Sequence, residues 1–118
     1  MELLEEVIGR ALSKANSFNV IVTPFSHQEL LRTIICMLNT YTPHTVQYAN
    51  TSIKFNNGSI VYVMPDSNPE RLRGCRIDFC VILSPGNITD LDYLEKAIIL
   101  PATFSTNGII KKEENNNE

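Results

Sequence analysis

Residues 52–83 read SIKFNNGSIVYVMPDSNPERLRGCRIDFCVIL, and this stretch decides the fold class. Apolar residues alternate with polar ones before Asn57 and Gly58, and Val61 and Val63 occupy alternate positions of the apolar run IVYVM after them. An Asn-Gly pair between two alternating runs is the strongest short-range signal for a β-hairpin, because both turn residues must tolerate positive φ. The stretch ends in IDFCVIL (77–83), which is typical of a strand buried on both faces. The sequence therefore predicts a β-hairpin over about 46–64 and then a buried strand.

Helix and strand patterns precede this stretch. Residues 2–14 place apolar side chains at helical spacing, with glutamates in the first turn, where the helix dipole favours acids. FNVIVT at 18–23 predicts a second strand buried on both faces. Residues 26–40 predict a helix that begins with a capping box formed by Ser26 and Glu29. This strand-helix succession predicts an α/β domain of two or three layers with a mainly parallel sheet.

The last part of the chain adds a third helix and a last strand. Residues 89–99 have helical spacing, with Thr89 as the expected N-cap and Pro101 as the residue that ends the helix. Ile109 and Ile110 are expected to begin the last strand. The sequence therefore predicts three main helices, at about 2–14, 26–40 and 89–99.

Length and composition predict one domain. The chain has 118 residues, of which 43% are hydrophobic, and typical domains contain about 100–150 residues. We expect a single α/β domain over 1–112 and a polar, disordered tail over 113–118. No apolar run approaches the roughly 18 residues of a membrane span, and the acidic start does not resemble a signal peptide. A cytoplasmic protein that is not secreted is therefore expected.

The charge distribution offers one anion-binding candidate. The net charge is −3, so the chain as a whole is not an electrostatic binder of DNA. Arg71, Arg73 and Arg76 nevertheless lie close together in a polar segment that also contains Gly74. These arginines could bind phosphates or acidic side chains. Ordinary solvated arginines around a turn at Gly74 would explain the same pattern.

No catalytic, metal or cofactor motif is present in the sequence. The three cysteines form no C-x-x-C pair, and Cys36 and Cys80 lie in apolar runs, so we expect buried thiols and no metal site. Neither G-x-x-x-x-G-K-[ST] nor G-x-G-x-x-G occurs, and the G-x-S-x-G elbow is also missing. The sequence therefore predicts no catalytic residue and no cofactor.

The order of elements resembles that of the large terminase subunits, the ATPases that package viral DNA. That family has a strand, an N-G-S hairpin, a second strand, a polar loop ending in L/V-R-G, and a strand that carries the Walker B acids. The segment FNVIVTPFSHQELLRTI (18–34) is similar to the family's second core strand and the helix after it. The matching residues downstream are Ile53, Phe55, Asn57, Gly58, Ser59, Leu72, Arg73, Gly74 and the strand 77–83.

The resemblance implies a RecA-like P-loop fold without its hydrolytic parts. In the family, the strand that matches 77–83 ends in Asp-Glu, which hold magnesium through water and orient the attacking water. This chain has Leu83 and Ser84 at that degenerate Walker B position. The Walker A loop would precede the first helix, and the chain is expected to begin after it. Only the loop of Arg73 and Gly74 carries over, which in the family lies near the nucleotide and the DNA-facing surface.

Three functional hypotheses follow. The first is a non-catalytic terminase-ATPase-like module, of viral or phage origin, that binds a protein or a nucleic acid in the cytoplasm of the infected host cell. The alternative is a small virus-encoded interaction or inhibitor protein, or a virion component, with no ATPase kinship. The third is an enzyme with an unrecognised site around Asp78, Arg73, His27 or Ser84. The expected partner is a protein, with nucleic acid at Arg71–Arg76 and a homodimer through an open sheet edge as further possibilities, and no membrane.

Overall fold

A six-stranded mixed sheet forms the centre of the molecule. The computed structural model describes residues 2–24, 27–41, 46–49, 51–65, 72, 75–88, 91–104 and 106–113. The strands are β1 Phe18–Thr23, β2 Val46–Tyr48, β3 Ser52–Phe55, β4 Ile60–Pro65, β5 Phe79–Ile82 and β6 Ile109–Lys112. Their order across the sheet is β2-β3-β4-β1-β5-β6.

The predicted mainly parallel sheet is confirmed. β1 lies between β4 and β5 and is parallel to both, and β6 is parallel to β5. β2, β3 and β4 pair antiparallel, so the predicted hairpin lies at one edge of the sheet together with an extra short strand. The buried strand predicted over 77–83 is shorter than expected, because its ladder runs only from Phe79 to Ile82.

Helices cover both faces of the sheet, which gives three layers. α1 is Glu2–Ser13 and α2 is His27–Tyr41. α3 consists of three consecutive segments, α-helical Leu91–Tyr93, π-helical Leu94–Ile99 and α-helical Leu100–Phe104. Side chains of α1 and α2 pack on one face of the sheet, and those of α3 pack on the other.

Strand β1 shows why the sheet is buried on both sides. Ile21 packs in the cluster under α1 and α2, while Val20 and Val22 pack in the cluster under α3, and all three are fully buried. Burying such an aliphatic side chain stabilises a fold by about 1.5–3 kcal/mol. The nearly continuous apolar run at 18–23 therefore reflects contacts on two faces, as the sequence indicated.

Pro101 does not end the third helix, so that prediction is wrong. A proline inside an α-helix lacks an N–H and clashes with the carbonyl four residues earlier. In α3 the Leu100 N–H donates to the Glu95 carbonyl, five residues earlier, so a wider π-helical turn precedes Pro101. Pro101 then occupies the first turn of the segment Leu100–Phe104, where a proline is tolerated.

Two predicted caps, Ser26 and Thr89, lie outside the described residues. Among the helices that the structure describes, none has both the length and the apolar character that crossing a membrane requires.

Candidate functional site

The carboxyl edge of the parallel strands is the first place to look for a site, because ligands of open α/β sheets bind there. At this edge β5 is followed by Leu83 and Ser84, both half-buried. The Leu83 N–H donates to the Val22 carbonyl of β1 at 2.9 Å. The residues at the predicted Walker B position therefore lie where a nucleotide site would be built.

An acid from another strand meets Ser84. The Ser84 N–H donates to Glu113 Oε1 at 2.9 Å, and its Oγ donates to the same oxygen at 3.3 Å. Ser84 has a left-handed backbone, with φ 46° and ψ 57°. The Glu113 N–H donates to the Ile82 carbonyl at 2.8 Å. The carboxylate at this edge thus follows β6, whereas the resemblance places the family's acids at the end of the strand that corresponds to β5.

Sequence reasoning missed Glu113, which was assigned to the polar tail. The signal that could have found it is the parallel pairing of the last two strands, because parallel strands end at the same edge of a sheet. In the structure Ile82 is paired with Lys112, so Glu113 comes beside Leu83, and Ser84 is the residue that follows. The register therefore brings Glu113 to Ser84, although the two are far apart in sequence.

Arg76 is the only one of the three candidate arginines that falls within the described residues, and it is exposed. Arg71, Arg73 and Gly74 lie outside them. Arg76 precedes Ile77, whose N–H donates to the Ala102 carbonyl at 3.1 Å at the amino end of β5. Ser84 lies beyond the carboxyl end of the same strand. The structure therefore does not bring Arg76 and the Walker B position together.

Asp78 and Ser84, two members of the hypothetical enzyme site, are also at opposite ends of β5. Asp78 Oδ2 accepts a hydrogen bond from the Phe18 N–H at 2.9 Å, and its Oδ1 pairs with Lys14 Nζ at 2.8 Å. This carboxylate joins the amino ends of β1 and β5 to the end of α1. Within the described residues, no group of three histidine, cysteine, aspartate or glutamate side chains could hold a metal ion.

A cleft of about 150 Å³ lies at this amino end, between α1 and the turn before β6. Its charged lining residues are paired within the chain, Lys14 with Asp78 at 2.8 Å and Arg10 with Glu6 at 3.1 Å. Asn19 also lines the cleft, and its buried Oδ1 has no hydrogen-bond partner within the described part of the chain. The pair of Lys14 and Asp78 connects the end of α1 to the sheet. Because these charges are already paired, the cleft offers no free charge to a ligand.

The turn at Asn57 and Gly58 contacts α1 as well as reversing the chain. Asn57 Nδ2 donates to the Ala11 carbonyl at 2.9 Å and to the Leu12 carbonyl at 3.3 Å. Its Oδ1 accepts hydrogen bonds from the N–H and Oγ of Ser59, at 2.9 and 2.7 Å. Gly58 has φ +88°, but Asn57 lacks the positive φ that was expected of both turn residues, as in hairpin loops where a single left-handed glycine follows a type I turn. The predicted hairpin turn is therefore also the C-terminal cap of α1, whose last carbonyls need partners.

Cys36 and Cys80 were both expected to be buried, and this is true of one of them. Cys80 is buried, and burial raises the pKa of its thiol to about 12, so the group stays protonated at neutral pH. Cys36 is exposed, contrary to the prediction. It lies two residues after the buried Ile34, about half a turn around α2, and therefore faces away from the core.

Glu6 joins α1 to β6, and this contact predicts a pH effect. Lys111 Nζ lies 2.9 Å from the Glu6 carboxylate, and Arg10 Nη2 lies 3.1 Å from it. The hydrogen bond from Lys111, and to a smaller extent that from Arg10, holds the pKa of Glu6 below its ordinary value of 4.5, although burial opposes this shift. The ionised carboxylate therefore contributes stability above pH 4.5, and this contribution is lost as the pH falls through the lowered pKa.

We expect Glu6→Gln to be less stable than the natural chain near neutral pH, with the difference shrinking below pH 4.5. The measurement is the urea midpoint as a function of pH. Glu5→Gln, an exposed position on the same helix, is the control. A difference between Glu6→Gln and the natural chain that stays constant down to acid pH would contradict the prediction.

Comparison with known proteins bears on the fold. No protein-family model matches the sequence, and no curated protein matches it. The large terminase ATPase domain of Thermus phage P74-26 is similar in structure, with a TM-score of 0.64 and 15% sequence identity. The match covers 99% of this chain and 54% of that one. The fold is terminase-like.

A mutant of the same phage domain gives the same result. Its TM-score is 0.62 at 14% identity, and the match covers 98% of this chain and 54% of the solved one. The chain therefore spans about half the length of the solved domains it matches. At this level of identity the likeness establishes the terminase-like fold, and function must be argued from the residues of this chain.

Proposed function

We propose that this chain is a non-catalytic terminase-ATPase-like module, of viral or phage origin, that acts by binding another macromolecule. The terminase-like fold supports the kinship, since the match extends over 99% of the chain. The pairing of β1 with β5 and the hairpin at one sheet edge supply the arrangement that the sequence resemblance requires.

The observation that carries the non-catalytic role is the end of β5. A packaging ATPase needs acids there to hold magnesium and orient water. Leu83 offers only an aliphatic side chain, and both donors of Ser84 are directed at the Glu113 carboxylate. That carboxylate would repel a nucleotide phosphate, and the sequence holds no glycine-rich phosphate loop to offset the repulsion. These features favour binding without hydrolysis.

Phosphate release from magnesium-ATP tests this role. The natural chain is compared with the double variant Leu83→Ala/Glu113→Gln, expressed and purified in the same way. We expect neither protein to release phosphate faster than buffer without protein, because the chain does not hydrolyse ATP. A natural chain that releases phosphate faster than the double variant would contradict the proposal, since activity would then depend on the end of β5.

A protein is the favoured partner. The net charge of −3 disfavours association with a phosphate backbone. Leu100 and Phe104, four residues apart on α3, are large apolar side chains that are 50% and 86% exposed, and they are suited to contact with a protein, a second copy of this chain included. Nucleic acid is the second candidate, supported by the exposed Arg76 and by the neighbouring arginines of the sequence.

Two binding measurements separate these partner classes. In one, the chain is immobilised and incubated with a nuclease-treated host extract. We expect it to retain one protein in a stoichiometric amount. In the other, the fluorescence anisotropy of labelled duplex DNA is compared for Arg71→Ala/Arg73→Ala/Arg76→Ala and for Arg32→Ala, an exposed arginine of α2. We expect weak DNA binding that is the same in both variants. If the natural chain bound DNA strongly and only the triple variant lost this binding, nucleic acid would be the partner and a protein would not.

A further inference from the structure

Strand β6 leaves one edge of the sheet open. It pairs with β5 on one side, and no other strand among the described residues pairs with its opposite side. The N–H groups of Ile109 and Glu113 donate to β5 and its flanking residues, at 3.1 and 2.8 Å. Because alternate residues of a parallel strand direct their polar backbone groups to opposite sides, Ile110 and Lys112 direct theirs outward. These outward groups can hydrogen-bond to a further strand.

The lysines of β6 do not protect this edge with free charge. Edge-strand lysines usually oppose pairing with another strand. Here Lys111 Nζ lies 2.9 Å from the Glu6 carboxylate, and Lys112 Nζ lies 3.1 Å from the Glu95 carboxylate. Each lysine charge is therefore balanced within the chain, one on the α1 side of the sheet and the other on the α3 side.

Exposed apolar side chains border the same edge. Glu95 reaches Lys112 from α3, and Leu100 follows Glu95 by one π-helical turn. Phe104 follows Leu100 by about one α-helical turn, so both continue the flank of α3 that faces β6. Phe104 is 86% exposed and Leu100 50%, whereas Ile109, 41% exposed at the start of β6, lies on the α1 face and lines the cleft there. We call Leu100, Phe104 and the outward backbone groups of Ile110 and Lys112 the β6 flank.

We propose that the β6 flank binds a second copy of this chain, with the two β6 strands antiparallel around a twofold axis at Lys111. Ile110 of one copy then faces Lys112 of the other. In an antiparallel ladder such a pair exchanges both its N–H and its C=O groups, so all the outward groups of these residues gain partners. The open edge is thus complementary to itself, which an isologous interface requires.

The charges at this edge are compatible with a second copy. The axis places the two Lys111 side chains opposite each other, and like charges in that position oppose pairing. The Glu6 carboxylate beside each Lys111 offsets the repulsion. Phe104 lies near the amino end of β6, since the Asn107 N–H donates to its carbonyl at 3.3 Å. In the antiparallel arrangement it meets the carboxyl end of the other copy's β6, where Lys112 and Glu95 are paired.

Sedimentation equilibrium of the full chain over a range of concentrations tests the interface. We expect a reversible monomer-dimer equilibrium. Lys112→Pro removes the outward N–H without breaking a backbone hydrogen bond within the sheet. Lys112→Ala loses the same ion pair but keeps the N–H, so it is the matched control. The dissociation constant of Lys112→Pro should exceed that of Lys112→Ala by about tenfold or more.

A second pair of variants tests the apolar part of the β6 flank. Phe104→Glu should also raise the dissociation constant by about tenfold or more. Gln47→Glu adds the same charge on β2, at the opposite edge of the sheet, and should leave the constant unchanged. Circular dichroism establishes that each variant is folded. A natural chain that stays monomeric, or that associates only with a different protein, would overturn the proposal. So would dissociation constants of Lys112→Pro and Phe104→Glu that both equal that of the natural chain.

Discussion

Replacing Phe79 by alanine is expected to lower the free energy of unfolding by about 3–5 kcal/mol, the range for a buried aromatic side chain. Phe79 begins β5, is 1% exposed, and packs in the cluster under α1 and α2. The Arg10 guanidinium also lies 4.3 Å from its ring centroid. Because small domains are stable by only about 5–15 kcal/mol, this loss would be a large part of the total stability.

Urea denaturation followed by circular dichroism measures this effect. Phe104→Ala is the matched control, because it removes the same side chain from a position that is 86% exposed. In dilute solution, where the monomer dominates, the control should differ from the natural chain by no more than about 0.5 kcal/mol. Similar losses in the two variants would show that Phe79 does not lie in the core as described.

The second large effect is expected at Asn57. Asn57→Ala removes the amide that donates to the Ala11 and Leu12 carbonyls at the end of α1, and it removes the oxygen that accepts from the Ser59 N–H, while the Ser59 hydroxyl keeps the Ala11 carbonyl as an acceptor. Leaving buried polar groups unsatisfied destabilises a protein by about 1–3 kcal/mol, and we expect a loss in this range. The measurement is the urea midpoint, with the m-value checked for constancy.

Asn56→Ala provides the control for Asn57. Asn56 is the preceding residue of the same turn and is exposed, so its replacement should change stability by no more than about 0.5 kcal/mol. Equal effects at the two positions would mean that Asn57 acts only through the conformation of the turn. A selective loss at Asn57 would establish its side-chain contacts, with α1 and with Ser59, as the source.

The proposed function depends on how the strands end. The resemblance to packaging ATPases predicted a degenerate Walker B position at Leu83 and Ser84, and the structure places these residues at the carboxyl edge of the sheet. What the sequence did not reveal is that Glu113 occupies the donors of Ser84. At this edge the donors of Ser84 are therefore already engaged by a carboxylate of the same chain, which is the physical basis for proposing a binding role.

The sequence by itself determined the elements whose signals are local. The alternation around Asn57 and Gly58 specified the hairpin, the run at 18–23 specified a strand buried on both faces, and helical spacing specified α1 and α2. Each signal depends on side chains a few residues apart, so the backbone geometry of one segment is enough to interpret it. The expectation that a proline ends a helix failed at Pro101, because a π-helical turn precedes it and changes the backbone geometry.

Only the tertiary structure decided which distant groups meet. The contacts of Glu113 with Ser84, of Asn57 with α1, and of Glu6 with Lys111 all join residues more than about 25 positions apart. They depend on strand register and on the sheet face each helix covers, and no local pattern carries that information. The same register leaves β6 as an open edge with its lysine charges balanced, which is why the proposed dimer could be located only in the folded chain.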